Sequence, residues 1–214
     1  MTDPLIESLA ADLEPVKPRR YGRWLAVGAA AGLIAGALAF WLLPGIQVRP
    51  DIAIAVLDVP FWIKLVFTGL LAATGCLSLI RLVRPGGRAA AALWLPCVLW
   101  IGFALMAAAD LAMHPVDVWP ERILGSTALR CVTYIVLISL PILAVLALVA
   151  RRGAPTRLTQ AGWALGLAAG GIAATIYALG CPEASPAFLT VWYALGIGLT
   201  AAASAVAGRY FLRW

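Results

Sequence analysis

Apolar positions along this chain fall into long uncharged runs rather than short alternations. Six such runs extend roughly from Trp24 to Leu43, Phe61 to Ile80, Ala89 to Ala109, Val132 to Ala150, Leu158 to Gly180 and Ala187 to Gly208. A hydrocarbon core of about 30 Å is crossed by about 20 helical residues at 1.5 Å rise each, so each run is predicted to be one span. The expected fold is therefore all-α, a polytopic bundle of six transmembrane helices preceded by a short cytoplasmic amphipathic segment. Lys64, near the start of the second run, has a stem long enough to snorkel to the interface. The longest connections, about residues 44–60 and 110–125, leave no room for a soluble catalytic domain. Pro85-Gly86-Gly87 and the Gly153/Pro155 pair predict tight turns, making spans two and three, and four and five, helical hairpins. Residues 1–23 are read as a tail and 24–214 as the six-helix domain.

Composition agrees with this division. At 63% hydrophobic and 12% charged, the chain lies far from soluble proteins, about a quarter of whose residues are charged. The net charge of +6 is dispersed between the apolar runs, which points to membrane topology rather than to nucleic acid. One side carries Lys17, Arg19, Arg20, Arg23, Arg81, Arg84, Arg88, Arg151, Arg152, Arg157, Arg209 and Arg213; the other carries Arg49, Lys64, Arg122 and Arg130. Because cytoplasmic flanks hold the excess of bases, both termini are predicted to be cytoplasmic. Trp24, Trp163 and Trp214 then fall near the inner interface, and Trp41, Trp62, Trp119 and Trp192 near the outer one. Ala37-Leu38-Ala39 imitates a signal-peptidase site, but an acidic leader precedes this span and the apolar run continues through Phe40 and Trp41, so it is read as retained. Gly28, Gly32 and Gly36, and again Gly162, Gly166 and Gly170, place small residues one turn apart. Such stripes let backbones approach closely, within the bundle or in a homodimer.

The tail differs from the rest. Between Asp3 and Val16 there are four acids and no base. On a helical wheel Leu5, Ile6, Leu9, Leu13 and Val16 occupy an arc of about 100°, with Asp3, Glu7 and Glu14 beyond it. Asp3 and Pro4 suit a helix start, and Pro15 a stop. A helix of this length is marginal alone in water and should order on contact. Its acids would be repelled by an anionic leaflet and attracted by a basic protein, so a protein partner is expected.

Four cysteines show no C-x-x-C and no zinc-type spacing. Cys76 and Cys97 read as buried, apolar packing residues. Cys131, twenty positions before Arg151, and Cys181, well beyond Arg157, fall together at the outer interface, where the milieu permits disulfides and soft thiolates attract soft metal ions. His114, in the outer loop between Asp110 and Asp117, reads as solvated rather than ligating. Lys64, Asp58 and Asp110 lie near outer ends, where pairing or snorkelling accounts for them, and no charge is placed at the bilayer centre. Phosphate loops, H-E-x-x-H and G-x-S-x-G are absent, so neither an enzyme nor a cofactor is expected.

The acidic tail from Leu5 to Val16, the cysteine pair with Leu129-Arg130-Cys131 and Tyr177-Ala178-Leu179-Gly180-Cys181, Pro141, Phe188 with Trp192-Tyr193, and the terminal Leu212-Arg213-Trp214 resemble the NrsF-type anti-sigma factors. The resemblance covers nearly the whole chain. It implies a six-span inner-membrane protein whose tail holds an extracytoplasmic-function sigma factor through Asp3, Leu5, Ile6, Glu7, Leu9, Asp12, Leu13 and Glu14. It also implies that Cys131 and Cys181 sense oxidants or heavy metals, as a disulfide or as metal ligands. The competing readings are a small transporter or channel, disfavoured by the lack of mid-span charge, and a membrane thiol-redox protein, disfavoured by the lack of C-x-x-C.

Overall fold

The computed structural model of the protein describes residues 21–84, 86–89 and 91–213. Within them every regular element is helical. Six long helices follow the apolar runs: α1 (Tyr21–Leu42), α2 (Val59–Leu82), α3 (Ala91–Ala112), α4 (Ala128–Ala150), α5 (Leu158–Tyr177) and α6 (Pro186–Phe211). The expected runs and the observed helices differ by a few residues at their ends. α2, α4 and α6 begin earlier than the uncharged runs because a first turn tolerates Pro60, Arg130 and Pro186. There the proline lacks only an amide that would have had no intrahelical partner. α5 stops at Tyr177, leaving Gly180 and Cys181 in the following connection. α1 already includes Tyr21, Gly22 and Arg23, which the sequence assigns to the tail.

Five of the long helices are apolar enough to cross a membrane. α5 is the exception, because its glycines, alanines, Thr159 and Gln160 lower its hydropathy, yet fifteen of its twenty residues are buried. Hydropathy ranks it last because it faces protein on nearly every side. α5 packs against α6, α2, α4 and α1, whereas α3 leans on α2 and the start of α6 with most of its surface free.

Small residues explain why the helices can come so close. Gly162 and Gly166 lie against the backbone of Ser204 and Ala201 in α6, and Gly75 and Gly171 interlock α2 with α5. Gly28, Gly32 and Gly36 receive Val149 and Ile142 of α4. Both stripes seen in the sequence are thus occupied inside the bundle, which removes the ground on which they suggested a homodimer. In each pair the residue numbers run in opposite directions, so these neighbours are antiparallel. Hydroxyls supplement the packing: Thr175 Oγ1 donates to Thr68 Oγ1 at 2.9 Å, and Ser139 Oγ and Thr200 Oγ1 are 3.3 Å apart. Such bonds join neighbouring helices in the interior of the bundle.

Alternating direction divides the connections between two ends. Residues 43–58, 113–127 and 178–185 gather at one end, with Cys131 and Cys181. The segments after α2 and α4 gather at the other, with the N-terminus of α1 and the C-terminus of α6. At the thiol end, indole N–H groups tie loops to helices: Trp62 to Val56 O (2.9 Å), Trp119 to Leu111 O (3.0 Å) and Trp192 to Ile123 O (2.8 Å).

A Cβ at Gly75 would lie 2.3 Å from the Ala168 amide nitrogen, whereas one at Gly198 would meet nothing within 4 Å. Gly75→Ala should therefore destabilise the bundle by about 1–3 kcal/mol through overpacking. Gly198→Ala should be neutral or slightly stabilising. Denaturant unfolding of the two variants in detergent checks the difference.

Candidate functional site

Cys131 lies in the first turn of α4 and Cys181 in the connection between α5 and α6. They come from separate helical hairpin arms, yet they belong to one buried cluster, 0% and 1% exposed. Neither is joined in a disulfide in this structure. They lie within electrostatic reach of each other and of Lys64. The expectation of a shared location at one end is met, but behind a cover of protein rather than open to an interface. Cys76 is half-buried and Cys97 is exposed on α3, contrary to the expectation that both are enclosed. α3 turns most of its surface outward, so a mid-span position there does not imply burial.

The connection carrying Cys181 is fixed from three directions. From α2, the Lys64 ammonium donates to the carbonyl oxygens of Cys181 (2.9 Å) and Glu183 (2.5 Å). From the 43–58 loop, the Arg49 amide donates to Leu179 O at 3.1 Å. From the start of α4, Ser126 N and Oγ donate to Glu183 Oε1 at 2.8 and 2.9 Å, joined by Thr127 Oγ1 at 3.4 Å. A carboxylate here also meets the positive end of the α4 dipole. Gly125, at φ +55°, makes this approach possible, since a Cβ would fall 2.7 Å from the Phe188 ring and 2.8 Å from the Glu183 carboxyl carbon.

Lys64 thus behaves differently from the sequence expectation. It is fully buried and binds backbone carbonyls instead of snorkelling to solvent. A buried ammonium is costly unless hydrogen-bonded. Two converging carbonyls meet that need, and in doing so they fix the Cys181 backbone against α2.

Aromatic rings wall the thiols. Tyr134 and Tyr177 are 6.0 Å apart, Tyr177 and Tyr193 5.9 Å, and Phe188 and Tyr193 6.5 Å between centroids. Tyr134 donates to Pro44 O at 2.7 Å, drawing the 43–58 loop over the site. The hydroxyls of Tyr177 and Tyr193 approach the Cys181 thiol. That of Tyr193 is completely buried and makes no hydrogen bond of good geometry. A buried hydroxyl in this condition is uncommon and destabilising by about 1–3 kcal/mol. In the covering loop, Arg49 pairs with Asp51, whose carboxyl this guanidinium holds below its ordinary 3.8 while Asp51 in turn raises Arg49.

A second polar group at this end joins Arg122, Asp110 and His114. Arg122 grips Asp110 through two nitrogens at 2.7–3.1 Å, and His114 Nδ1 lies 2.7 Å from Asp110 O. Pairing of Asp110 is as expected. No cluster of three or more His, Cys, Asp or Glu suited to a metal exists among the described residues. The chemistry gathered here is that of two thiols with tyrosine hydroxyls, a set with few of the oxygen ligands that a hard cation takes. The tail residues Asp3, Leu5, Ile6, Glu7, Leu9, Asp12, Leu13 and Glu14 lie outside the described residues. Sequence reasoning did not assign site roles to Lys64, Glu183 or Gly125. A lone lysine interrupting an apolar run was the one available signal.

Fold and site together define an all-α bundle, mostly of helices able to cross a membrane, in which two thiols converge at one end. Residues 9–214 match the family described as NrsF, Negative regulator of sigma F. The chain is 41% identical to the Anti-sigma-F factor NrsF of Caulobacter vibrioides, covering 100% of this chain and 99% of that one. It is 36% identical, over the same shares, to the Probable anti-sigma-F factor NrsF of Azospira oryzae. The chain belongs to the NrsF family of negative regulators of sigma F. No solved structure matches it.

Lys64→Met should leave the Cys181 and Glu183 carbonyls without their donor, at roughly 1–3 kcal/mol for each buried group left unpaired. Arg130→Met, which removes an exposed charge one residue from Cys131, should cost little. Unfolding midpoints of the two variants in detergent compare them directly.

Proposed function

We propose that this protein is a membrane-bound anti-sigma factor that holds a sigma factor of the extracytoplasmic-function class at the inner membrane and releases it on an envelope signal. The observation that carries this reading is the family match across nearly the full chain, joined to the convergence of Cys131 and Cys181 in one buried site. In this reading all six long helices span the bilayer, α5 being sheltered by the other five, and both termini are cytoplasmic. The distribution of bases supports that orientation: Arg23, Arg81, Arg84, Arg88, Arg151, Arg152, Arg157, Arg209 and Arg213 all fall at the end opposite the thiols.

The tail supplies the inhibitory contact. Leu5, Ile6, Leu9 and Leu13 would bury against the sigma factor. Asp3, Glu7, Asp12 and Glu14 would face its basic, nucleic-acid-binding surfaces, in competition with core polymerase. The thiol pair supplies the sensor. An oxidant would join Cys131 to Cys181, and a soft metal ion would bridge them with loss of the thiol protons. Either event draws the α5–α6 connection toward the first turn of α4. That connection is tied to α2 by Lys64 and to the 43–58 loop by Arg49, so a shift there strains four parts of the bundle together. In this reading the connection is the element whose two arrangements would carry the signal to the far end.

Replacing both Cys131 and Cys181 by Ser should abolish induction of a sigma-dependent reporter by cadmium and by a thiol oxidant, with the protein still in the membrane fraction; undiminished induction would remove the sensor role. Leu9→Glu should raise reporter output without any inducer by tenfold or more, since a buried charge at a contact costs several kcal/mol. Unchanged repression would move the inhibitory contact to the inner loops.

A further inference from the structure

Acids are completely partitioned in the described part of the molecule. Its acids, Asp51, Asp58, Asp110, Asp117, Glu121 and Glu183, all lie at the thiol end, as do its three ion pairs. The opposite end carries nine arginines and, among the described residues, no acid. One of them, Arg152, lies with its guanidinium carbon 5.3 Å from the centre of the Trp24 ring. Between these two side chains opens a groove of about 470 Å³ lined by Tyr21, Trp24, Leu25, Val83, Val149 and Arg152. Its floor is apolar, with Leu25 and Val83 buried, and its rim is aromatic and cationic.

Tyr21, on the groove wall, is also the residue to which the acidic segment is joined. Residues 15–20 are the only chain between Glu14 and Tyr21, and the seven Cα–Cα steps from Glu14 to Tyr21 reach at most about 25 Å. Pro15 and Pro18 within them restrict the backbone further. The tether alone therefore limits how far Glu14 can be from Tyr21 and gives the acids a high effective concentration at the basic end. The segment alternates acids with Leu5, Ile6, Leu9 and Leu13, the same mixture of charge and apolar surface that the groove offers in complementary form. The groove is too small for a whole helix and suits one or two apolar side chains, with the carboxylates left at the arginine rim.

We propose that the basic end of the bundle is a docking surface for the chain's own acidic segment, residues 3–14, which lodges at the Tyr21–Trp24–Arg152 groove when it is not bound to the sigma factor. This rests on the tail being the sigma-binding element, and it gives that element a second partner. Bundle and sigma factor then compete for one segment, and a signal that reshapes α1 or α4 at the groove changes the competition without any proteolysis. α4 begins beside the thiols and ends at Arg151, so both sites act on the same rod.

Competition fixes the sign of the test. If the docked form outnumbers the free form by about ten to one, Arg152→Glu should tighten binding of the purified sigma factor to the full chain in lipid nanodiscs by about tenfold. Arg130→Glu, the same charge change at the other end, should leave it unaltered. Glu14→Arg combined with Arg152→Glu should restore, with the sigma factor absent, the contact between the segment and the 149–152 region that Arg152→Glu alone loses, as read by the crosslink below. A photo-crosslinking residue at Leu9 should label the 149–152 region when the sigma factor is absent and label the sigma factor when it is present.

Unchanged affinity in Arg152→Glu would overturn the proposal. So would weakened affinity, which would make the basic end a direct sigma contact, and so would labelling confined to lipid. Should deletion of residues 1–20 leave sigma binding intact, the tail's inhibitory role fails. The crosslink without sigma factor then still decides whether the segment docks.

Discussion

Helices packed through glycine and alanine faces associate according to how closely their backbones can approach. In this protein that approach is concentrated on α5. Gly162 and Gly166 bring it against α6, Gly171 brings it against α2, and its alanines fill what remains. A helix half of whose residues are glycine or alanine becomes the axis around which four neighbours are placed. The thiol site depends on this arrangement, because Cys181 is carried at the end of α5 and reaches Lys64 of α2 and Cys131 of α4 only when all three helices hold their separations.

The site itself is an arrangement of backbone more than of side chains. Lys64 holds two carbonyls, Arg49 offers its amide, and Glu183 collects an amide and two hydroxyls at the head of α4. Each contact fixes the path of the chain through residues 179–183. The thiols are positioned as a consequence, behind a wall of tyrosines, one of which keeps its hydroxyl without a good partner.

Much of the architecture could be read from the sequence because bilayer thickness turns helix detection into counting apolar residues. The six helices, their alternating direction and the common end of Cys131 and Cys181 followed from that count. Lys64 was noticed but misjudged: a lone cation near a span end suggests solvent, and only the tertiary fold reveals two carbonyls waiting for it. Gly125 and Glu183 gave no signal, since their roles arise from residues nearly sixty positions apart meeting at one helix start. α5 was found by its lack of charge, yet its hydropathy is the poorest of the six for the same reason that it is central. Cys97 was misplaced because sequence depth says where a residue lies along a span and nothing about which way the helix faces.

The last helix holds a feature with its own consequence. Over Leu189–Tyr193 α6 opens into a π-helical turn. A π turn accommodates one residue beyond the α repeat, which offsets the faces on either side of it by about 100°. Phe188 and Leu189 at one edge, and Tyr193, Gly196 and Ile197 beyond it, are all buried. The turn therefore works as a phase shifter. Above it the rod is indexed to the thiol site, below it to the small-residue seam of α5, and two packing codes that could not coexist on one ideal helix are written on a single span.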